Sequence, residues 1–354
     1  MQVQVFTQEW IFKIKANIHQ NLGNSRGFLF NYGVNYYLIY FVGTGVLLFL
    51  CSLHHSFIHA HPSPRIYCTN TSERGTSLNF HKITIIGRDN RIMVAKRLLE
   101  NDNTLVIHIT SKDQLESLTP SNIIMLPVPY KDASGNIKGT NMSLSDIAPK
   151  LNSNSFVILG KVDGEFLALS NQIGFKFCDL NMDLRFKKLN AIPTAEAAIN
   201  IAMQYTPYTL YGHTALVCGY GCIAECLTKL LLAFGAKVTV AARKHSDRID
   251  AAYNGATAID INDIKNAIHD IDIVFNTCPA MVVPAEVIDH AKQSCVIIDL
   301  ASRPGGCDLD YAKSKGINAG LYLSLPDIYS PQTSGENLYR ITTAVIDELN
   351  VKEG

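Results

Sequence analysis

Thr214-Ala-Leu-Val-Cys218-Gly219-Tyr220-Gly221-Cys222-Ile223-Ala224 is the stretch that decides the fold. A short apolar strand runs straight into Gly-x-Gly-x-x-Ala, a helical segment follows, and a second strand-forming stretch begins within about thirty residues. Each small residue has a job in that context. Gly219 permits the tight turn, Gly221 lets backbone approach a pyrophosphate, and Ala224 permits close packing of helix on strand. The helix amino terminus then offers N–H groups and the positive end of its dipole to phosphate. A Rossmann-type dinucleotide site follows, with Gly219, Tyr220, Gly221, Cys222 and Ile223 as its loop.

The next strand ends in Val240-Ala-Ala242-Arg243-Lys244. An NAD site places Asp or Glu at this point for the ribose 2′-hydroxyl. Here alanine is followed by two cations, and Arg243 can form a two-bond, charge-assisted pair with a 2′-phosphate. Ala242, Arg243 and Lys244 therefore point to NADP. Two later strand ends should line the crevice outside the sheet: Asn276-Thr277-Cys278-Pro279-Ala280 and Asp299-Leu-Ala301-Ser302-Arg303-Pro-Gly-Gly306. Thr277, Cys278, Pro279 and Ala301 fall beside the cofactor. Ser302 and Arg303 are the best donors to an anionic substrate near the nicotinamide, and Asp299 is better suited to a structural role than a catalytic one.

Outward from this core the pattern is α/β. Strands are expected at 214–218, 237–241, 271–276, 295–300 and 317–322, with helical segments between them, and an amphipathic helix at 337–349 can pack back on the preceding domain. Upstream, strands are expected at 82–87, 104–109, 122–126 and 156–159, with another closing at Cys178 and a helix at 92–99. Residues 183–188 look like a polar connection. Ile192-Pro193-Thr194-Ala195-Glu196 then opens a helix, with proline in the first turn where its missing N–H costs nothing. The expected fold is two Rossmann-like, doubly wound parallel-sheet domains behind a hydrophobic N-terminal extension. Its boundaries are extension 1–79, first domain 80–192, interdomain helix 193–207, Rossmann domain 208–330 and C-terminal helix 331–354.

Composition narrows the function. The 354 residues carry 31 Lys+Arg against 31 Asp+Glu, so no basic excess favours nucleic acid. Nine cysteines in no regular spacing argue for free thiols rather than a disulfide framework. Cys218, Cys222 and Cys226 sit four apart but straddle a strand end and a helix, so one metal cannot easily reach all three. Residues 34–53 (VNYYLIYFVGTGVLLFLCSL) are almost wholly apolar and, at about 20 residues, long enough to cross a bilayer as a helix. Flanking cations are nearly balanced and set no orientation. An extension that the enzyme does not need is the competing reading of residues 1–78. The His54, His55, His59 and His61 tract suits a linker better than a metal site.

These motifs together resemble the dipicolinate synthase A-subunit family. The matching segments are Ile192-Pro-Thr-Ala-Glu196, Ala236-Lys-Val238 through Arg243, Asn276-Thr-Cys-Pro279, Ile298-Asp-Leu-Ala-Ser-Arg-Pro-Gly-Gly306, and Leu325-Pro326 with Pro331, in order over roughly residues 80–350. The resemblance implies NADP-dependent oxidation of dihydrodipicolinate to pyridine-2,6-dicarboxylate, in the mother-cell cytoplasm of a sporulating bacterium, together with a flavoprotein-like B subunit. Family members tend to show Gly-Gly-Asp-x-Arg after the first strand, where this chain has Gly87-Arg88-Asp89-Asn90-Arg91. They often carry arginine at the position of Cys222. The hydrophobic N-terminus has no family counterpart.

A cyclic imine dicarboxylate needs donors for two carboxylates, and Arg303, Ser302, Thr194, Arg88 and Arg91 are the candidates. Loss of a hydride and a proton makes the ring aromatic, so the protein has mainly to align ring and nicotinamide and exclude water. Glu196 is the candidate general base, against a reading in which it merely favours a helix amino terminus. One rival function is a 2-hydroxyacid-type dehydrogenase, which needs a crevice histidine. Another is a non-catalytic dinucleotide-binding subunit that scaffolds a partner, at a membrane if residues 34–53 form a tether. A homo-oligomer is compatible with either.

Overall fold

In a computed structural model the described residues are 82–353, apart from 103, 117 and 119–121, together with the backbone of three strands between 26 and 51. Those strands, Arg26–Tyr32 (β1), Asn35–Val42 (β2) and Gly45–Cys51 (β3), form an antiparallel sheet within a separate compact unit, Met1–Gly75. Two of them replace the helix expected over 34–53. Tyr, Ile, Phe and Val favour a pleated surface, and Gly43-Thr-Gly45 breaks the apolar run in the middle. No helix among the described residues is long and apolar enough to cross a membrane. The histidine tract lies outside the described residues.

The second unit, Thr76–Gly354, holds two parallel sheets. Its first lobe consists of β4 (Lys82–Ile86), α1 (Asn90–Asn101), β5 (Leu105–Ile109), β6 (Ile123–Met125), β7 (Phe156–Leu159), α2 (Gly164–Ile173) and β8 (Lys176–Asp179). The strands lie in the order β5-β4-β6-β7-β8. A long helix, α3 (Leu184–Tyr205), leads on to the second lobe. There β9 (Thr214–Cys218), α4 (Cys222–Ala233), β10 (Lys237–Ala242), α5 (His245–Tyr253), β11 (Thr257–Asp260), β12 (Ile273–Asn276), β13 (Val296–Asp299) and β14 (Asn318–Leu321) build a sheet ordered β11-β10-β9-β12-β13-β14. The chain then returns through α6 (Leu325–Tyr329) to α7 (Pro331–Glu353), which lies on α1 and α3.

Period-two alternation explains why both sheets are covered on both faces. In β9, Ala215 and Val217 join one core while Leu216 and Cys218 join the opposite one. In β4, Ile83 and Ile85 face a core completed by Leu338, Ile341 and Val345 of α7, and Ile86 faces the other side. Strands buried on both faces are what a parallel sheet requires.

The helix expected to open at Ile192 begins eight residues earlier, at Leu184, and residues 183–188 are its first turn rather than a polar connection. Asp183 caps it by accepting from Arg185 N at 2.8 Å and Phe186 N at 3.1 Å. Pro193 therefore sits in the helix interior, where it deprives the Leu189 carbonyl of its N–H partner. Asn337 Nδ2 of α7 donates to that carbonyl at 3.5 Å. Burial of Phe186, Ala191, Ala195 and Ala198 offsets the proline.

Candidate active site

The site is assembled where strands end. Gly219 follows β9 with φ of 93°, and a Cβ there would lie 2.6 Å from Thr277 Oγ1 and 2.9 Å from Cys278 Sγ. Only glycine fits so close to the loop that follows β12. Thr277 is anchored in turn, its N and Oγ1 both donating to the Cys218 carbonyl, at 3.0 and 2.8 Å. Gly221 caps α4 with no side chain, and a Cβ added there would meet nothing within 4 Å. The first-turn amides of a twelve-residue helix thus face open space with no side-chain acceptor, which suits a pyrophosphate. Cys222 and Ile223 are part-buried in that turn, and Tyr220 accepts from Asn254 Nδ2 at 3.1 Å.

The corresponding helix of the first lobe offers no such place. The amino end of α1 is taken up by two carboxylates: Asp89 Oδ1 accepts from Ile92 N at 2.8 Å, and Asp327 Oδ1 accepts from Asn90 N at 2.8 Å. Only the second lobe combines a free helix terminus with a glycine loop.

At the end of β10, Ala242 is buried while Arg243 and Lys244 are exposed. Burial pushes the Cys278 thiol up, as does the Asp299 charge, while the Arg243 charge opposes them. Sequence reasoning missed Arg248. Its Nη1 donates to the carbonyls of Ala242 and Arg243 at 2.8 and 2.9 Å and to Asp260 Oδ2 at 2.6 Å, which pins the backbone that carries Arg243. The only sequence signal was a cation in the first turns of the helix after the strand.

The loop after β13 is built around Asp299, which is fully buried. Its Oδ1 accepts from Ala301 N at 3.0 Å and Asn276 Nδ2 at 2.8 Å, and its Oδ2 from Gly306 N at 2.7 Å and Cys307 N at 3.1 Å. The expected structural role is what the geometry displays. Asn276 also donates to the Cys278 carbonyl at 2.9 Å and accepts from Cys278 N at 3.0 Å, so the β12 and β13 loops are one unit. Ser302 to Gly305 form a turn closed by Gly305 N to Ser302 O at 2.9 Å, with a cis Arg303–Pro304 bond. Ala301 is buried beneath it, and Ser302, Arg303 and Pro279 are exposed. Arg303 has no ion pair among the described residues, and both oxygens of Asp299 are already committed to other donors.

The first-lobe candidates divide. Arg88 is exposed beyond β4, its backbone N–H donating to Lys138 O at 2.8 Å. Arg91 is turned into the lobe and paired there. It is 4% exposed, and its Nη2 donates to Asp89 Oδ2 at 3.0 Å and to the Val128 carbonyl, with Asp327 beyond. Burial in a balanced ion cluster overrides what its position in sequence suggested. Thr194 is buried on α3 and spends its hydroxyl proton on Asn190 O at 2.7 Å. Glu196 is exposed well inside α3, not in a first turn, so the helix-terminus reading fails. Burial first, and then its charge, raise the Cys226 thiol of α4. Among the described residues no three His, Cys, Asp or Glu side chains converge on a metal-sized site.

The two lobes touch where strands of both sheets end. Asp327, beyond β14, reaches Asn90 beyond β4 and bonds Lys138 Nζ, beyond β6, at 3.0 Å.

A family model described as Shikimate / quinate 5-dehydrogenase matches residues 200–317. The A subunit of dipicolinate synthase from Bacillus subtilis (strain 168) is 36% identical over 165 residues, which is 47% of this chain. That match spans 56% of the length of the relative. Among solved structures, the A subunit of dipicolinate synthase from Bacillus halodurans superposes with TM-score 0.68 at 27% identity, over 75% of this chain and 97% of that one. Its counterpart from Bacillus subtilis gives TM-score 0.70 at 26% identity, over 78% and 98%. The chain is thus similar in sequence and fold to the dipicolinate synthase A subunits, and its second lobe matches a dehydrogenase family model.

Proposed function

We propose that the protein is the A subunit of a dipicolinate synthase, oxidising dihydrodipicolinate to pyridine-2,6-dicarboxylate with NADP. Its partner in this reading is a flavoprotein-like B subunit, and its place is the mother-cell cytoplasm of a sporulating bacterium. The observation that carries the reading is the Ser302–Gly305 turn. Asp299 holds it rigid against the β12 loop, and an unpaired guanidinium stands on it at the cofactor edge. Preorganised charge of this kind is suited to an anion that must be held in one orientation.

NADP, when bound, accepts the hydride. Gly219 and Gly221 would admit its pyrophosphate to the α4 amides, and Arg243, with its backbone pinned by Arg248, would hold the 2′-phosphate. Arg303 and Ser302 hold one ring carboxylate so that the carbon losing hydride faces the cofactor. The accompanying proton leaves to solvent. His213 does not serve the 2-hydroxyacid reading, since it stands at the amino end of β9, stacked on Tyr208 at 5.0 Å.

The test is NADPH formation by the purified full chain supplied with dihydrodipicolinate, with and without a B subunit. Formation of NADPH and pyridine-2,6-dicarboxylate in equal amounts is expected. No NADPH in either condition overturns the reading. Cofactor binding without turnover, even with the B subunit, would leave the scaffold alternative.

A further inference from the structure

We infer that Tyr220 and Asn254 are positioning residues for the cofactor, and that through them α5 sets the distance between the pyrophosphate loop and Arg243; this rests on the NADP reading above. Tyr220 lies between Gly219 and Gly221, so it carries the only side chain by which that turn can be held. Its half-buried ring packs against the core that contains Val217, Ala224 and Ala251. Its hydroxyl accepts from Asn254 Nδ2 at 3.1 Å, and the same amide nitrogen donates to the Asp250 carbonyl at 2.8 Å. A side-chain amide has a hydrogen for each acceptor. Asn254 is the residue on which α5 ends. Backbone geometry does not call for asparagine there. Its φ is −79°, and the left-handed position after the helix falls to Gly255, with φ of 95°. The Asp250 carbonyl already has the Asn254 N–H at 3.0 Å. What asparagine adds is a donor to a residue 34 positions away in the chain.

The same helix grips the site at its other end. Near the start of α5, Arg248 donates to the carbonyls of Ala242 and Arg243 and to Asp260 of β11. On the strand side, Gly219 N donates to the Ala241 carbonyl at 2.8 Å. The glycine loop and the end of β10 are therefore joined directly, and joined again through α5. A ligand held at the loop alone is indifferent to the second link. A ligand held at the loop and at Arg243 together is not, because two contacts made by one molecule both form only at the right separation. NAD is a ligand of the first kind and NADP of the second.

The test titrates NADP and NAD against the full chain and three variants: Tyr220→Phe, Asn254→Ala, and Tyr220→Phe combined with Arg243→Ala. Melting temperature is measured alongside. Tyr220→Phe is expected to weaken NADP about three- to tenfold, the scale of one hydrogen bond, with NAD little changed. Asn254→Ala should lower the ratio of the two affinities equally, and should melt lower because it also loses the tie to Asp250. Added to Arg243→Ala, Tyr220→Phe should cost NADP nothing further, since its effect runs through Arg243. Equal falls for both cofactors would mean that the pair only steadies the loop, and would overturn the inference. So would unchanged affinities in Tyr220→Phe, or a loss that persists in full without Arg243. In each of these cases a parent that prefers NADP keeps the functional reading. A parent with equal affinities removes the NADP reading, and the role of α5 with it.

Discussion

Arg243 follows β10 where an NAD site would present a carboxylate, and on the reading proposed above its guanidinium favours NADP. NADP is expected to bind at least tenfold tighter than NAD, about 1.4 kcal/mol. Arg243→Ala should erase most of that difference, and titrations of both cofactors against both proteins measure it; equal affinities in the parent would overturn the preference. Arg303 poses the matching question for substrate. A lysine keeps the charge but cannot form a two-bond fork, and loss of a charged hydrogen bond typically costs ~1.5–3 kcal/mol. Arg303→Lys should therefore lower kcat/KM for dihydrodipicolinate by roughly tenfold or more on that scale, with NADP affinity preserved. A variant with parental turnover would show that the side chain only faces solvent. Both residues could be found from sequence because each follows a strand end in a recognisable motif. Arg91 was legible as a cation near such an end, but its burial against Asp89 and Asp327 depends on residues far away in the chain.

At the scale of elements, α3 is the instructive case. Proline in Ile192-Pro-Thr-Ala-Glu196 suggested a helix start, by the general preference of proline for a first turn. The true start is set by Asp183, whose carboxyl is held below its usual range chiefly by the Arg185 side chain, aided by backbone N–H groups of Phe186 and Arg185 against burial. Asp183→Ala should cost about 1 kcal/mol at neutral pH, the usual loss of a cap. Because the folded-state pKa is depressed, this contribution is complete above the unfolded-state value of 3.8 and disappears as pH falls through the folded-state value. Thermal melts of parent and variant from pH 7 downward should converge in acid. A gap that stays constant to the point of acid unfolding would mean that the charge does not matter there. The apolar stretch at 34–53 shows the same ambiguity in another form. Length alone favoured a spanning helix, while β-branched and aromatic content with an internal Gly-Thr-Gly favoured strands.

Across the whole second unit, the lobes are joined by α3, by the return through α6, and by one buried ion cluster. Asp327 bonds Lys138 at 3.0 Å, lies 4.0 Å from Arg91 Nε and caps α1 through Asn90 N, so one carboxylate from the second lobe organises the first. Its removal leaves Arg91 and the half-buried Lys138 with Asp89 as their remaining carboxylate, which costs part of the ~3–5 kcal/mol lost when a fully buried pair is broken. Asp327→Ala should lower the urea midpoint accordingly yet leave NADP binding intact, since the β9 loop lies elsewhere. A midpoint shift within about 0.5 kcal/mol, as for an ordinary surface change, would show that the cluster does not couple the lobes. By itself the sequence determined the α/β class, every parallel strand except the short edge strand β11, the Gly-x-Gly-x-x-Ala loop and the cations just past β10. Those features are written in local patterns: period-two apolar runs, glycines at turns, and charges one or two residues past a strand. The tertiary structure alone decided which cations remain free, where α3 begins, and that Asp299 and Asn276 weld two crevice loops together. Those outcomes turn on burial and on hydrogen bonds between residues as far apart as 237 positions, and no local pattern encodes such a meeting.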